Sequence, residues 1–109
     1  MAKITPTGET LGCRIEGIDL AKPLSEADFK TILQAFGRYA VVCFPGQKVD
    51  AVQQKTFAKR FGSLEINVAA GHYTVPGHPE VMVLSNIVEN GKAIGLKDAG
   101  QDWHTDMSY

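Results

Sequence analysis

Tyr39-Ala40-Val41-Val42-Cys43-Phe44 is a short, continuously apolar run bounded by Gly37 on one side and Pro45-Gly46 on the other. A run this short, closed at both ends by turn formers, predicts a strand covered on both faces and makes this segment the candidate central strand. Upstream, Ser25-Glu26-Ala27-Asp28 reads as a capping box, because the Ser25 hydroxyl can accept the third amide of a helix while the Asp28 carboxylate reaches back to the cap. Phe29, Ile32, Leu33 and Phe36 then recur at i, i+3, i+4 and i+7, and Gly37 follows where a left-handed residue costs least. A helix is predicted over 26–36.

Working outward, Leu11, Cys13 and Ile15 alternate with polar or small residues inside 9–20, as in a half-buried strand. Downstream, Asp50 and Gln53 repeat the capping logic, with Ala51, Val52, Phe57, Ala58 and Phe61 as the apolar stripe and Gly62 as the stop, so a second helix is predicted over 51–61. Residues 63–80 carry Asn67, Gly71, Pro76, Gly77 and Pro79 and predict irregular chain with room for one short strand. Val81-Met82-Val83-Leu84 reads as a strand, 87–102 as a long excursion or a hairpin, and 103–109 as extended again. There is no internal repeat and no low-complexity segment. The mixture of strands and helices places the chain in the α+β class.

Composition narrows the function. The 109 residues include 11 Lys+Arg and 12 Asp+Glu, for a formal charge of −1, with 44% hydrophobic residues. That balance suits one small globular domain and offers no basic footprint for nucleic acid or an anionic membrane surface. No apolar stretch approaches the roughly 20 residues of a membrane span, and the amino terminus lacks the apolar segment of a secretory signal. Cys13 and Cys43 lie in strand-like apolar segments and are read as reduced core residues of a cytoplasmic protein.

The chemistry-bearing pair is His104 and Asp106. On an extended chain the two-residue period turns both side chains to one face and Thr105 to the other, so both can reach one metal ion. An imidazole and a carboxylate on one face supply two corners of the facial triad that leaves positions open on non-haem Fe(II). Two fixed positions also describe a surface histidine near a carboxylate.

The context of the pair carries a resemblance. Trp103-His104-Thr105-Asp106 resembles the iron-binding signature of the Fe(II)- and 2-oxoglutarate-dependent dioxygenases of the taurine dioxygenase and 2,4-dichlorophenoxyacetate dioxygenase family. The segments from Leu11 to Leu20, from Val42 to Gln47 and from Phe57 to Gly62 are similar to the amino-terminal half of that family, in the same order and at compatible spacing. The resemblance implies a double-stranded β-helix, a jelly-roll of the clavaminate-synthase-like kind, with flanking helices. It also implies His104 and Asp106 as the first two iron ligands, with 2-oxoglutarate as cosubstrate, molecular oxygen as oxidant and a small organic acid as the hydroxylated substrate.

The family brings a distal His ligand and an Arg for 2-oxoglutarate from its carboxyl-terminal half, and neither matches a position in this chain. His72 and His78 precede the motif and are read as loop histidines. Lys92, closing the segment from Ser85, falls where the phenoxyacetate enzymes place a lysine on the substrate carboxylate; the alternative is a solvated lysine beside an Asn-Gly turn. Met107 and Tyr109 fall where the family places substrate-pocket side chains, with plain core packing as the other reading. Asn67 stands where taurine dioxygenase carries a sulfonate-binding His, which argues against taurine. The oligomeric state, a homo-oligomer included, is left open.

Residues 1–109 are thus expected to be the amino-terminal part of a single dioxygenase domain. The rivals are a small non-catalytic binding domain, in which the His-x-Asp pair is structural or takes zinc, and an inactive truncated product. Zinc would want a closed tetrahedron of ligands that no cluster in the sequence supplies. On the fragment reading, residues 1–109 expressed alone should self-associate through unpaired strand edges and form no succinate from 2-oxoglutarate with iron. Size-exclusion chromatography, thermal unfolding and a succinate assay check this, and a monomer with one cooperative transition would contradict it.

Overall fold

The computed structural model describes residues 2–67, 73–98 and 100–106. The chain divides into two units, 1–57 and 58–109. The first is organised by a three-stranded sheet of β1 (Lys3–Pro6), β2 (Cys13–Glu16) and β3 (Val42–Cys43), in that spatial order. β1 and β2 are antiparallel, with Ile4 opposite Ile15, whereas β2 and β3 are parallel, with Cys13 opposite Val42. A parallel pair needs a crossover, and α1 (Glu26–Tyr39) lies within it.

Alternation in β2 sends Cys13 and Ile15 inward and Arg14 and Glu16 outward. Ile15, fully buried, packs with Cys13, Ile18, Ile32 and Ala35, and these five are the buried hydrophobic side chains among the described residues. Tyr39, Val42, Phe44 and Phe57 close around them, the two phenylalanine rings meeting edge to face at 5.7 Å. Among the described residues no helix is long and apolar enough to cross a membrane.

The predicted box at Asp50 forms whole and the one at Ser25 forms in half, without the return bond from Asp28. Ser25 Oγ accepts from Asp28 N–H at 3.1 Å, and Asp50 and Gln53 exchange bonds, each side chain accepting from the other's amide at 2.8 and 2.9 Å. The helix ends differ from expectation. α1 runs through Gly37 to Tyr39 and stops at Ala40, a non-glycine residue at φ 66°. There Val41 N–H bonds back to Tyr39 C=O at 2.8 Å, closing a γ-turn, while Gly12 N–H donates to the same carbonyl at 2.8 Å. The half-buried Tyr39 and its carbonyl's tertiary partner outweigh the local preference of Gly37 for a stop. α2 (Ala51–Lys59) ends two residues before the predicted limit at Phe61.

The buried face of α1 is also rotated. Ile32, Ala35 and Tyr39 face the core, while Leu33 and Phe36 stay 44% and 53% exposed, roughly a quarter turn from the predicted stripe at 100° per residue. Small Ala35 allows close approach to the sheet, and counting only bulky apolar residues misses it. The supposed central strand corrects in the same way: only Val42 and Cys43 pair, β3 is an edge of the described sheet, and Val41 and Cys43 are exposed, so Cys43 is not a core residue. β2 is the central strand. It starts at Cys13, leaving Leu11 outside and exposed. β1 was not signalled by any apolar periodicity, since all four of its residues are exposed.

The second unit holds two small hairpins. β4 (Thr74–Val75) and β5 (His78–Met82) flank Pro76-Gly77, so the segment read as irregular contains a hairpin, and the strand predicted at Val81–Leu84 starts earlier and ends at Met82. β6 (Val88–Glu89) and β7 (Lys92–Ala93) flank Asn90-Gly91, both at positive φ (51° and 75°), the two-residue turn that Asn-Gly favours. Its base is tied where Leu96 N–H donates to Val83 C=O and Ser85 N–H donates to Leu96 C=O.

One side chain fixes the loop after β2. Gln47 donates through Nε2 to Ile18 C=O and accepts through Oε1 from Leu20 N–H, both at 2.8 Å in a partly buried setting. Gln47→Ala should therefore release the Leu20 amide. Leaving such a group without its partner costs about 1–3 kcal/mol, so exchange of that amide in the whole protein should quicken roughly 10- to 100-fold; hydrogen exchange read by NMR checks it, and an unchanged Leu20 rate would remove the clasp.

Candidate metal centre

The candidate site lies within one short stretch of the second unit. Residues 103–106 form no strand among the described residues, contrary to the extended strand expected from Trp103 on, yet the pairing of side chains survives. His104 Nε2 lies 3.2 Å from Asp106 Oδ1. On its other side, His104 Nδ1–H donates to the backbone carbonyl of Asp102 at 2.6 Å. Upstream, Gln101 Nε2 donates to Asp98 Oδ1 at 3.1 Å. Gly100, Gln101, Asp102, Trp103 and His104 line an open concavity of about 430 Å³.

The electrostatics follow from those contacts. The Asp102 carbonyl first, and the Asp106 charge next, raise the His104 pKa above the ordinary histidine value. Both groups are open to solvent, the Asp106 side chain at 93% and that of His104 at 51%. Screening at such exposure makes the ion pair a weak source of stability. Its chemical interest is different: two donors each about 2.1 Å from one ion and at right angles lie about 3.0 Å apart, so a 3.2 Å separation is close to a chelating bite. The residues present therefore fit two positions of a metal shell. Among the described residues no group of three His, Cys, Asp or Glu side chains gathers to complete one.

The other candidates are placed unevenly. Lys92 is exposed on β7, directly across the hairpin from Glu89. Asn67 is half-buried beyond α2, and His78 opens β5. Met107 and Tyr109, like His72, lie outside the described residues. Trp103, beside the pair, is fully exposed. The contribution of Asp102 was missed because a carbonyl carries no side-chain signature, and the only sequence hint was its place two residues before the histidine.

A family model described as taurine catabolism dioxygenase TauD, TfdA family matches residues 3–109. The (S)-phenoxypropionate/alpha-ketoglutarate-dioxygenase of Delftia acidovorans is 34% identical over 118 residues, covering 98% of this chain and 37% of that protein. Among solved structures, a taurine dioxygenase from Burkholderia xenovorans is similar with a TM-score of 0.64 at 29% identity, covering 72% of this chain and 27% of its own. AAD-2 in complex with Mn(II) and N-oxalylglycine gives a TM-score of 0.58 at 31% identity, covering 60% of this chain and 24% of its own. The chain spans 35–37% of the length of the curated relatives it matches.

Proposed function

The chain belongs to the taurine catabolism dioxygenase TauD, TfdA family, and on that premise we propose that the whole protein is a non-haem Fe(II)- and 2-oxoglutarate-dependent dioxygenase that hydroxylates a small organic acid. The observation that carries the reading is the 3.2 Å approach of His104 Nε2 and Asp106 Oδ1, two donors set to hold one ion. The Mn(II) and N-oxalylglycine in the solved relative support the metal and the oxoacid class of cosubstrate. The α+β frame seen here would be the amino-terminal part of a jelly-roll domain. Cytoplasmic residence belongs to the same proposal and is supported by the two free cysteines, Cys13 and Cys43.

In this reading iron, held by His104 and Asp106, would supply oxidation of the organic acid coupled to decarboxylation of 2-oxoglutarate to succinate. The chain's own residues do simpler work. His104 offers Nε2 and Asp106 offers Oδ1, two adjacent positions that leave others for cosubstrate and oxygen. Asp102 keeps the imidazole turned so that Nδ1 is occupied. Lys92 would attract the substrate carboxylate from its exposed hairpin, and Asn67, Met107 and Tyr109 are assigned to the substrate side.

Asp106→Ala in the whole protein should abolish turnover and the visible charge-transfer band that forms when Fe(II) and 2-oxoglutarate are titrated in without oxygen. A band of undiminished strength in that variant would remove Asp106 from the shell. Lys92→Met should raise the KM for the organic acid roughly 10- to 100-fold, the size of a lost charge-assisted contact of about 1.5–3 kcal/mol, and leave that for 2-oxoglutarate in place. Steady-state kinetics with each substrate varied in turn checks it, and a parallel change in both constants would return Lys92 to solvent.

A further inference from the structure

The β6–β7 hairpin sets two opposite charges side by side. Asn90-Gly91, at φ 51° and 75°, closes it so that Glu89 stands opposite Lys92 and Val88 opposite Ala93. Ile94 N–H donates to Ile87 C=O at 3.2 Å and carries the ladder one step toward the base. Alternation along each strand then assigns Ile87, Glu89, Lys92 and Ile94 to one face and Val88 and Ala93 to the other. Residues directly opposite in an antiparallel pair hold their β-carbons about 5 Å apart. Both charged residues are exposed, and Ile87 and Ile94 beside them are 54% and 37% exposed. The register is held by local bonds alone, from the turn to the base where Leu96 N–H meets Val83 C=O at 2.9 Å.

We infer that Glu89 is a specificity-determining residue: placed beside Lys92, it restricts the hairpin to organic acids with a single negative charge. This rests on the reading of Lys92 as the anchor of the substrate carboxylate given above. The chemistry is that of a tip with no net charge. A carboxylate reaching the Lys92 ammonium is attracted by it and repelled by the carboxylate one strand away. A monoanion can turn its uncharged body toward Glu89 or over Ile87 and Ile94. A dianion of the same shape brings a second negative charge within reach of Glu89, on a face whose cation is Lys92. The distinction bears on this reaction because 2-oxoglutarate and succinate are both dicarboxylates. A lysine without a partner would draw them more strongly than a monoanionic substrate, and Glu89 removes that advantage. At about 5 Å in water, one such charge interaction is equivalent to roughly three- to fivefold in affinity, and salt screens it.

The test uses the whole protein and two probes that differ by one carboxylate, phenoxyacetate and 4-carboxyphenoxyacetate. Their Kd values are read from the shifts of the Asn90 and Gly91 amides in NMR titrations at low ionic strength. The unaltered protein should bind the monoanion roughly three- to fivefold more tightly than the dianion. Glu89→Gln should abolish that preference and Glu89→Asp should keep most of it, with the Val88 and Ala93 amides unmoved as the sign that the hairpin is intact. Salt at about 0.5 M should erase the difference between Glu89→Gln and the unaltered protein. An unchanged preference in Glu89→Gln would overturn the inference, as would equal binding of the two acids by the unaltered protein. Lys92→Met should weaken both acids together. Phenoxyacetate binding left in place by Lys92→Met, or amides that neither acid shifts, would instead contradict the reading of Lys92, and the inference with it.

Discussion

The carbonyl of Tyr39 ties the first unit together. It accepts from Val41 N–H across the γ-turn at Ala40 and from Gly12 N–H at the entry to β2. One oxygen thereby ends α1, reverses the chain and sets the start of the central strand beside the start of β3. Cys13 N–H continues the arrangement by donating to Val41 C=O. The parallel register of Cys13 against Val42 follows from these bonds, and that register aligns Cys13 and Ile15 with Ile32 and Ala35 of the helix. A core of five buried side chains has little redundancy, so an error of one residue at this junction would turn β2 inside out.

The His104–Asp106 pair is organised by different means. No sheet aligns His104 with Asp106 among the described residues; the Asp102 carbonyl, two residues upstream, holds the ring. Local construction explains how two exposed side chains keep a 3.2 Å spacing with few packing contacts around them. It also explains the division of labour in the site. The two side chains bring the donor atoms together, and the Asp102 carbonyl holds Nδ1 of the imidazole.

Much of the frame was legible in the residues, for physical reasons that differ by element. Ser25 with Asp28 and Asp50 with Gln53 were readable because capping is local, involving side chains and amides three residues apart. Asn90-Gly91 was readable because few residue pairs accept two consecutive positive φ values. The readings failed where tertiary bonds decide. Gly37 did not stop α1 because Tyr39 had a partner at Gly12, and the stripe through Leu33 and Phe36 was misplaced because the buried face runs through Ile32 and Ala35. β1 escaped notice because an exposed edge strand needs no apolar period. At the candidate site, the His-x-Asp spacing picked out the two side chains that meet at 3.2 Å, while the Asp102 carbonyl acts through backbone geometry that residue identity barely records.

The proposed function stands or falls on whether His104 and Asp106 bind one metal ion together, through Nε2 and a carboxylate oxygen. Anomalous diffraction at the manganese edge from crystals of the whole protein soaked with Mn(II) tests it most directly. A single strong peak is expected within bonding distance of both His104 Nε2 and an Asp106 oxygen, with Nδ1 still on the Asp102 carbonyl. A peak bonded to Nδ1, or a metal held without one of the two residues, would contradict it.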